Sequence, residues 1–100
     1  MIRHIVMFRL KECNTPEEKK NNIIQLKESI EALKNAIPEI KYIELGYNIS
    51  TKPSAFDLVL INDFESEETL EIYRNHPEHK KVLVLLKEVV ENTSVVDYKY

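Results

Sequence analysis

The stretch YRNHPEH, residues 73–79, concentrates the side chains best suited to acid–base chemistry. It holds Tyr73, His76 and His79, and so two of the chain's three histidines. Imidazole titrates near neutral pH and can accept or donate a proton, and a phenolic hydroxyl can donate a hydrogen bond to a developing oxyanion. The stretch is therefore either a reactive group of side chains or only the start of a helix.

His76 immediately precedes Pro77, and proline is favoured at the first position of a helix. We therefore expect the backbone or the ring of His76 to cap that helix, in preference to a catalytic role. His79 lies in the first turn, where the helix dipole disfavours the charged imidazolium, and four residues before Leu83 of the apolar stripe. Its ring either faces the sheet as a neutral base or is a buried ring bonded to a backbone carbonyl or to His4.

Two of the candidate residues also have ordinary structural interpretations. His4 shares a predicted strand face with Val6 and Phe8, where a lone histidine is more often a hydrogen-bonded core residue than a ligand-binding one. Tyr73 can be explained by packing of an amphipathic ring whose hydroxyl finds one partner. For both residues the functional and the structural interpretation stay open.

No metal site and no cofactor are predicted. The single cysteine, Cys13, lies in the predicted loop KECNTPEE and can form neither an internal disulfide nor a zinc site alone. His76 and His79 lack a third and a fourth zinc ligand, and Glu78 is the only carboxylate beside them. A magnesium ion would require several oxygen ligands in octahedral geometry.

Composition excludes several classes of protein. The chain is 43% hydrophobic with a net charge of -3, and it has no basic stripe, so we expect no nucleic-acid binding. Its one glycine, Gly46, cannot form a glycine-rich phosphate loop. Charged residues interrupt the opening MIRHIVMFRL, and no apolar run reaches about 18 residues. We therefore expect no signal peptide, no membrane span and a cytoplasmic location.

The first half of the chain predicts a strand and a helix. Residues 2–10 alternate with a period of two, which indicates a strand with apolar groups on both faces. A helix follows, with Thr15 as its N-cap and Glu18 completing a capping box. Its apolar stripe runs to Ile37, where Pro38 ends the helix.

The second half predicts a strand pair, residues 41–49 and 56–64, around the turn STKPSA. Ser66 caps a second helix, Pro77 interrupts it and begins a third, and SVVDYKY forms the last strand. The order β-α-β-β-α-β predicts an α+β domain of the ferredoxin-like type. Its four-stranded antiparallel sheet has helices on one face.

The other face of this sheet is predicted to be apolar. Its residues are Ile5, Met7, Val59 and Ile61, with either Leu45 or Val96 according to the strand register. An apolar sheet face needs a cover, and the simplest cover is a second copy of the chain. The sequence therefore predicts a two-fold homodimer, sheet against sheet. Gly46 predicts a bulge or a close approach on one face.

Four parts of the sequence resemble the stress-responsive A/B barrel family. They are the opening MIRHIVMFRLKE, the helix ending in IP, the pair IELGYNI and FDLVLINDFES, and YRNHPEH with the terminal VVDY. The resemblance covers residues 1–100 as a single domain and implies a dimeric ferredoxin-like α/β barrel. The block L-x-x-Y-x-x-HP-x-H, residues 70–79, is more specific for the family than for one reaction. Members include a plant polyketide cyclase, olivetolic acid cyclase.

The resemblance implies roles for three residues. His79 matches the general base of that cyclase, Tyr73 the residue that holds its substrate, and His4 its strand-one histidine. These three are the predicted ligand-binding residues. The first helix here has no aromatic residue and the chain has no tryptophan, which favours an aliphatic or small ligand over an aromatic polyketide.

Three functions remain open on the sequence alone. The first is binding of a small ligand in a pocket between sheet and helices. The second is an enzyme of the cyclase or aldol type, and the third is a purely structural stress-response dimer. A cavity between the sheet and the helices would favour the first two over the third.

Overall fold

The computed structural model describes residues 1–100, which form a four-stranded antiparallel sheet with helices packed on one face. In chain order the elements are β1 Ile2–Leu10, α1 Pro16–Glu31, α2 Leu33–Ala36, β2 Tyr42–Tyr47, β3 Leu58–Phe64, α3 Glu67–Asn75, α4 Pro77–Val89 and β4 Val90–Lys99. The strand order is β2-β3-β1-β4. The predicted ferredoxin-like fold is therefore confirmed.

Side-chain caps fix where the helices begin. The Thr15 hydroxyl accepts a hydrogen bond from the Glu18 N–H at 3.1 Å, but the predicted return bond from the Glu18 side chain does not form. The complete capping box lies at α3, where Ser66 and Thr69 each accept from the other's backbone N–H. The Thr69 hydroxyl thus accepts the backbone hydrogen bond that a glutamate side chain usually accepts in this motif.

The first predicted helix is in fact divided. α1 ends at Glu31, and α2 begins at Leu33 after a break at Ala32. Ile30, Leu33 and Ile37 are nonetheless all buried against the core. Because the apolar spacing continues across the break, periodicity alone could not reveal it.

The strand bounds also differ from the prediction. β2 and β3 are shorter than predicted, and Ile49, expected on the β2 face, is 99% exposed because β2 ends at Tyr47. The last strand starts at Val90, earlier than SVVDYKY suggested, because the chain passes directly from α4 into the β1–β4 ladder.

One helix residue also differs from the prediction. Leu83, expected to face inward from α4, is only partly covered, at 40% exposure.

Strand register decides which residues share the outer face of the sheet. Ile5 of β1 lies between Ile61 of β3 and Val96 of β4, so Val96 belongs to the outer face. Leu45 pairs with Leu60, whose side chain is buried under the helices, so Leu45 belongs to the inner face. The register thus selects one of the two arrangements that the sequence allowed.

Five apolar residues form a continuous patch on the outer face, here called the outer patch. Its members are Ile5, Met7, Val59, Ile61 and Val96. Gly46 of β2 extends it, since a Cβ at that position would lie 3.2 Å from Val59 Cγ1. This is the close approach that the glycine predicted, whereas the one register shift lies between Arg9 and Leu10.

The core lies between the inner face of the sheet and the helices. Its largest fully buried side chains include Phe8, Phe64, Leu26 and Tyr73. Only 19 of 100 residues are buried, because one layer of helices on one sheet encloses only a small core. None of the helices has the length and apolarity needed to cross a membrane.

Candidate functional site

A cavity of about 200 Å³, partly open to solvent, lies between the inner face of the sheet and α4. Its wall is mostly apolar. The lining residues are His4, Val6, Phe8, Ile30, Leu33, Leu60, Tyr73, Arg74, His79, Val82, Leu83, Leu86, Thr93 and Val95. The structure therefore brings His4, which is distant in sequence, onto the same surface as Tyr73 and His79.

Tyr73 is the central ring of this group. It projects from α3 and is 1% exposed, so its ring is held in place by its neighbours. The ring centroids lie 5.0 Å from that of Phe64, 4.3 Å from that of His79 and 6.1 Å from that of His4. Burial raises the pKa of the Tyr73 hydroxyl to about 12. The hydroxyl therefore stays protonated at neutral pH and remains a hydrogen-bond donor.

His79 occupies the first turn of α4 and is half-buried. Its Nδ1 lies 3.1 Å from the backbone carbonyl oxygen of Arg74, so Nδ1 must bear the proton of the neutral ring. Burial lowers the pKa of His79, and the positive charges of His4, Arg74 and His76 lower it further. The hydrogen bond to the Arg74 carbonyl raises the pKa, but by less than these effects lower it. The ring is neutral at neutral pH, with a bare Nε2 that can accept a proton.

His4 is held by a carboxylate across the sheet. It is 7% exposed on β1, and its Nδ1 lies 2.5 Å from Asp97 Oδ1 on β4, directly opposite in the ladder. The other oxygen of Asp97 accepts a hydrogen bond from Arg74 Nη2 at 2.7 Å. Because the carboxylate only accepts hydrogen bonds, Nδ1 of His4 bears a proton. Nε2 of His4 bonds no protein group, as is also the case in His79.

Three polar residues of this region were missed from the sequence: Arg74, Asp97 and Asn62. Asp97 is 93 residues from His4, so only the strand register could place it there. Asn62 could have been noticed, because it interrupts the buried series Leu58, Leu60 and Phe64 on β3. An asparagine at such a position signals a buried polar group that needs an explanation.

Asn62 is fully buried, and neither atom of its side-chain amide completes a hydrogen bond. It lies near enough to Tyr73 to offset part of the rise in the pKa of the hydroxyl. The geometry of that approach does not satisfy a hydrogen bond, so we regard the amide as unpaired. An unpaired buried amide costs stability, which makes Asn62 unusual for a purely structural residue.

His76 does not line the cavity. Its ring Nδ1 accepts a hydrogen bond from the Glu78 N–H at 3.1 Å, which caps α4 at its N-terminus. The capping interpretation of His76 thus matches the geometry. Cys13 lies away from the cavity, with its thiol donating to the Lys11 carbonyl and accepting from Asn22. No three His, Cys, Asp or Glu side chains are arranged to hold a metal ion.

A family model described as the stress responsive A/B barrel domain matches residues 2–100. An uncharacterized protein of Streptomyces coelicolor is 28% identical over 100 residues, which is the whole of both chains. A dimeric protein of unknown function with a ferredoxin-like fold from Bacteroides fragilis is 33% identical. Its solved structure has a TM-score of 0.89, covering 99% of this chain and 95% of that one.

One solved structure of similar shape is an enzyme. It is a hydroxynitrile lyase from Passiflora edulis, with a TM-score of 0.82 and 21% identity, covering 97% of this chain and 90% of that one. At this identity the likeness concerns the fold alone. The fold therefore accommodates catalysis in at least one protein, without assigning a reaction to this chain.

Proposed function

The chain belongs to the stress responsive A/B barrel domain family, and from that premise we propose that it binds a small molecule between its sheet and its helices. The observation that supports this most is the cavity lined by His4, Tyr73 and His79. Ligand sites are typically apolar concavities with a few convergent polar groups, and this cavity has that composition.

The three polar residues offer complementary hydrogen-bonding groups. Tyr73 supplies a hydroxyl donor, because its raised pKa keeps the proton on the oxygen. His4 and His79 each have Nδ1 engaged with protein, so Nε2 is the atom of each ring available to a ligand. The suitable ligand has an apolar body and one polar group, such as a carbonyl or a hydroxyl.

The test is NMR of the three histidine rings during titration with acetophenone, benzamide, 2-heptanone and phenol. We expect at least one compound to shift the ring signals of His4 and His79, which line the cavity. The His76 ring is an internal control, since it caps α4 and should not move. If every compound left all three rings unchanged, binding would be rejected in favour of a purely structural dimer.

A second candidate function is an enzyme that removes a proton next to a carbonyl group. It is favoured by a neutral His79 with a bare Nε2, whose ring packs against the ring of Tyr73 with the centroids 4.3 Å apart. Nε2 would take the α-proton while the hydroxyl donates to the enolate oxygen that forms. General-base catalysis typically contributes about 10²–10⁴-fold.

Proton exchange tests this candidate without knowledge of the natural substrate. Acetophenone in D₂O would lose its methyl proton signal as His79 removes a proton and deuterium returns to carbon. We expect His79→Ala to abolish the protein-dependent exchange and the cap-preserving variant His76→Asn to retain it. Exchange at equal rates in both variants would reject His79 as the base.

We also propose that two copies pair through the outer patch. Met7 and Val96 of this patch are 38% and 55% exposed, which is unusual for an apolar sheet face. The accessible surface is 6520 Å², against about 5,900 Å² expected for a monomer of this mass. The dimeric relative from Bacteroides fragilis has the same fold, which supports a two-fold dimer here.

A further inference from the structure

We propose that the cavity selects neutral ligands over carboxylates, because the only arginine or lysine on its wall is already neutralised within the protein. This inference rests on the proposed binding function and specifies its ligand class. The residue in question is Arg74, on the last turn of α3 at the edge of the cavity. A free guanidinium there would be an anchor for a carboxylate, since its fork matches carboxylate geometry.

The guanidinium of Arg74 is held by two carboxylates. Nη1 lies 2.6 Å from Glu71 Oε1, one turn earlier on α3, and Nη2 lies 2.7 Å from Asp97 Oδ2 on β4. These bonds use one N–H of each terminal nitrogen, and both acceptors are carboxylates. A ligand carboxylate that approached the guanidinium would therefore meet two negative charges already beside it.

The charges around the cavity do not leave a positive excess in either protonation state of His4. With His4 neutral, Arg74 stands against Glu71 and Asp97, and the sum is -1. With His4 protonated, its added charge is matched by the adjacent Asp97, and the sum is zero. His79 and Tyr73 add no charge at neutral pH, as shown above. A carboxylate entering this cavity would lose its hydration without gaining a counter-charge, which is costly.

The remaining polar groups suit a neutral carbonyl or amide. Tyr73 donates to an oxygen, and the bare Nε2 of His79 accepts from an N–H or O–H group. The volume of about 200 Å³ is below the range of about 300–1,000 Å³ usual for drug-sized ligands. The preferred ligand is therefore small, largely apolar and uncharged.

Benzamide and benzoate test this inference, because they have the same shape and differ in charge. Both are titrated at neutral pH into the full-length protein, with the His4 and His79 ring signals as the readout. We expect benzamide to bind at least about fivefold more tightly than benzoate. In Glu71→Gln, which frees Nη1 of Arg74 from its charged partner, we expect benzoate to tighten about fivefold while benzamide stays within about twofold.

Glu68→Gln is the matched control, since it removes the same charge from an exposed position of the same helix without touching Arg74. It should leave the ratio of the two affinities unchanged. The inference is overturned if the unmodified protein binds benzoate as tightly as benzamide, or if Glu71→Gln leaves the ratio as it was. If no probe moves the His4 and His79 rings, the binding function itself fails, and this inference with it.

Discussion

His4 and Asp97 face each other across β1 and β4, with Nδ1 of the imidazole 2.5 Å from Oδ1 of the carboxylate. An ionised carboxylate only accepts hydrogen bonds, so the proton of the pair lies on Nδ1. This orientation leaves Nε2 of His4 as the atom that can meet a ligand. The pair joins β4, an edge strand of the sheet, to the candidate site.

Asp97→Ala is expected to lower the free energy of unfolding by about 1–3 kcal/mol. The variant leaves the buried Nδ1–H of His4 without its acceptor and also releases Arg74 Nη2. Urea denaturation measures the change. Glu65→Ala removes another carboxylate, from an exposed ion pair with Lys41, and should be nearly neutral. Equal effects of the two variants would show that the His4–Asp97 pair is not a significant contact.

Asn62→Leu is expected to raise the free energy of unfolding by about 1 kcal/mol, because it replaces an unpaired buried amide with an apolar side chain of the same branched shape. Asn62→Ala should instead lower it, since truncation leaves a cavity in the same place. Both are measured by thermal and urea denaturation. A loss of stability in Asn62→Leu would mean that the amide has a structural partner after all.

Stability should fall as the pH decreases below about 6.5, partly because of His79. Its pKa is lowered in the folded chain from an ordinary value of 6.5, so the unfolded chain binds more protons below that pH and is favoured. The groups acting on its ring are His4 from β1, Arg74 from α3 and His76 at the start of α4.

His79→Gln is the variant that isolates this effect, because it keeps a donor for the Arg74 carbonyl and removes the titrating ring. Urea denaturation between pH 7 and pH 5 should give a flatter profile for His79→Gln than for the unmodified protein. If the free energy of unfolding depended on pH equally in His79→Gln and in the unmodified protein, protonation of His79 would not be what destabilises the folded chain.

Val59→Asp is expected to convert the proposed dimer to a monomer. It places a charge at the centre of the outer patch, opposite Met7, where a second sheet would exclude water. Light scattering with size-exclusion chromatography measures the mass. Ile49→Asp is the control, because it makes a comparable change at a residue that is 99% exposed. A Val59→Asp protein that stays dimeric would exclude pairing through the outer patch.

The alternation of residues 2–10 is enough to predict β1, because burial of one face produces a period of two. It also places His4 on the inner face and Ile5 and Met7 on the outer one, as the structure has them. The proline and the preceding histidine likewise predict the start of α4. These features are local, and local sequence determines them.

The candidate site was only half predictable, because the rest depends on contacts between distant segments. His4, Tyr73 and His79 were selected by residue type and by family resemblance, and they do line one cavity. Asp97 joins them through a register that no single strand specifies. The break at Ala32 is hidden for a similar reason, since the apolar spacing on both sides of it fits one continuous helix.

Intermolecular nuclear Overhauser effects between benzamide and the protein test the central claim most directly. We predict contacts from the aromatic protons of benzamide to Tyr73, His79 and Leu86, which line the cavity between the sheet and α4. Contacts confined to Met7, Val59 and the rest of the outer patch would contradict the claim. The outer face of the sheet would then be the binding surface, and the cavity between the sheet and α4 would have no part in binding.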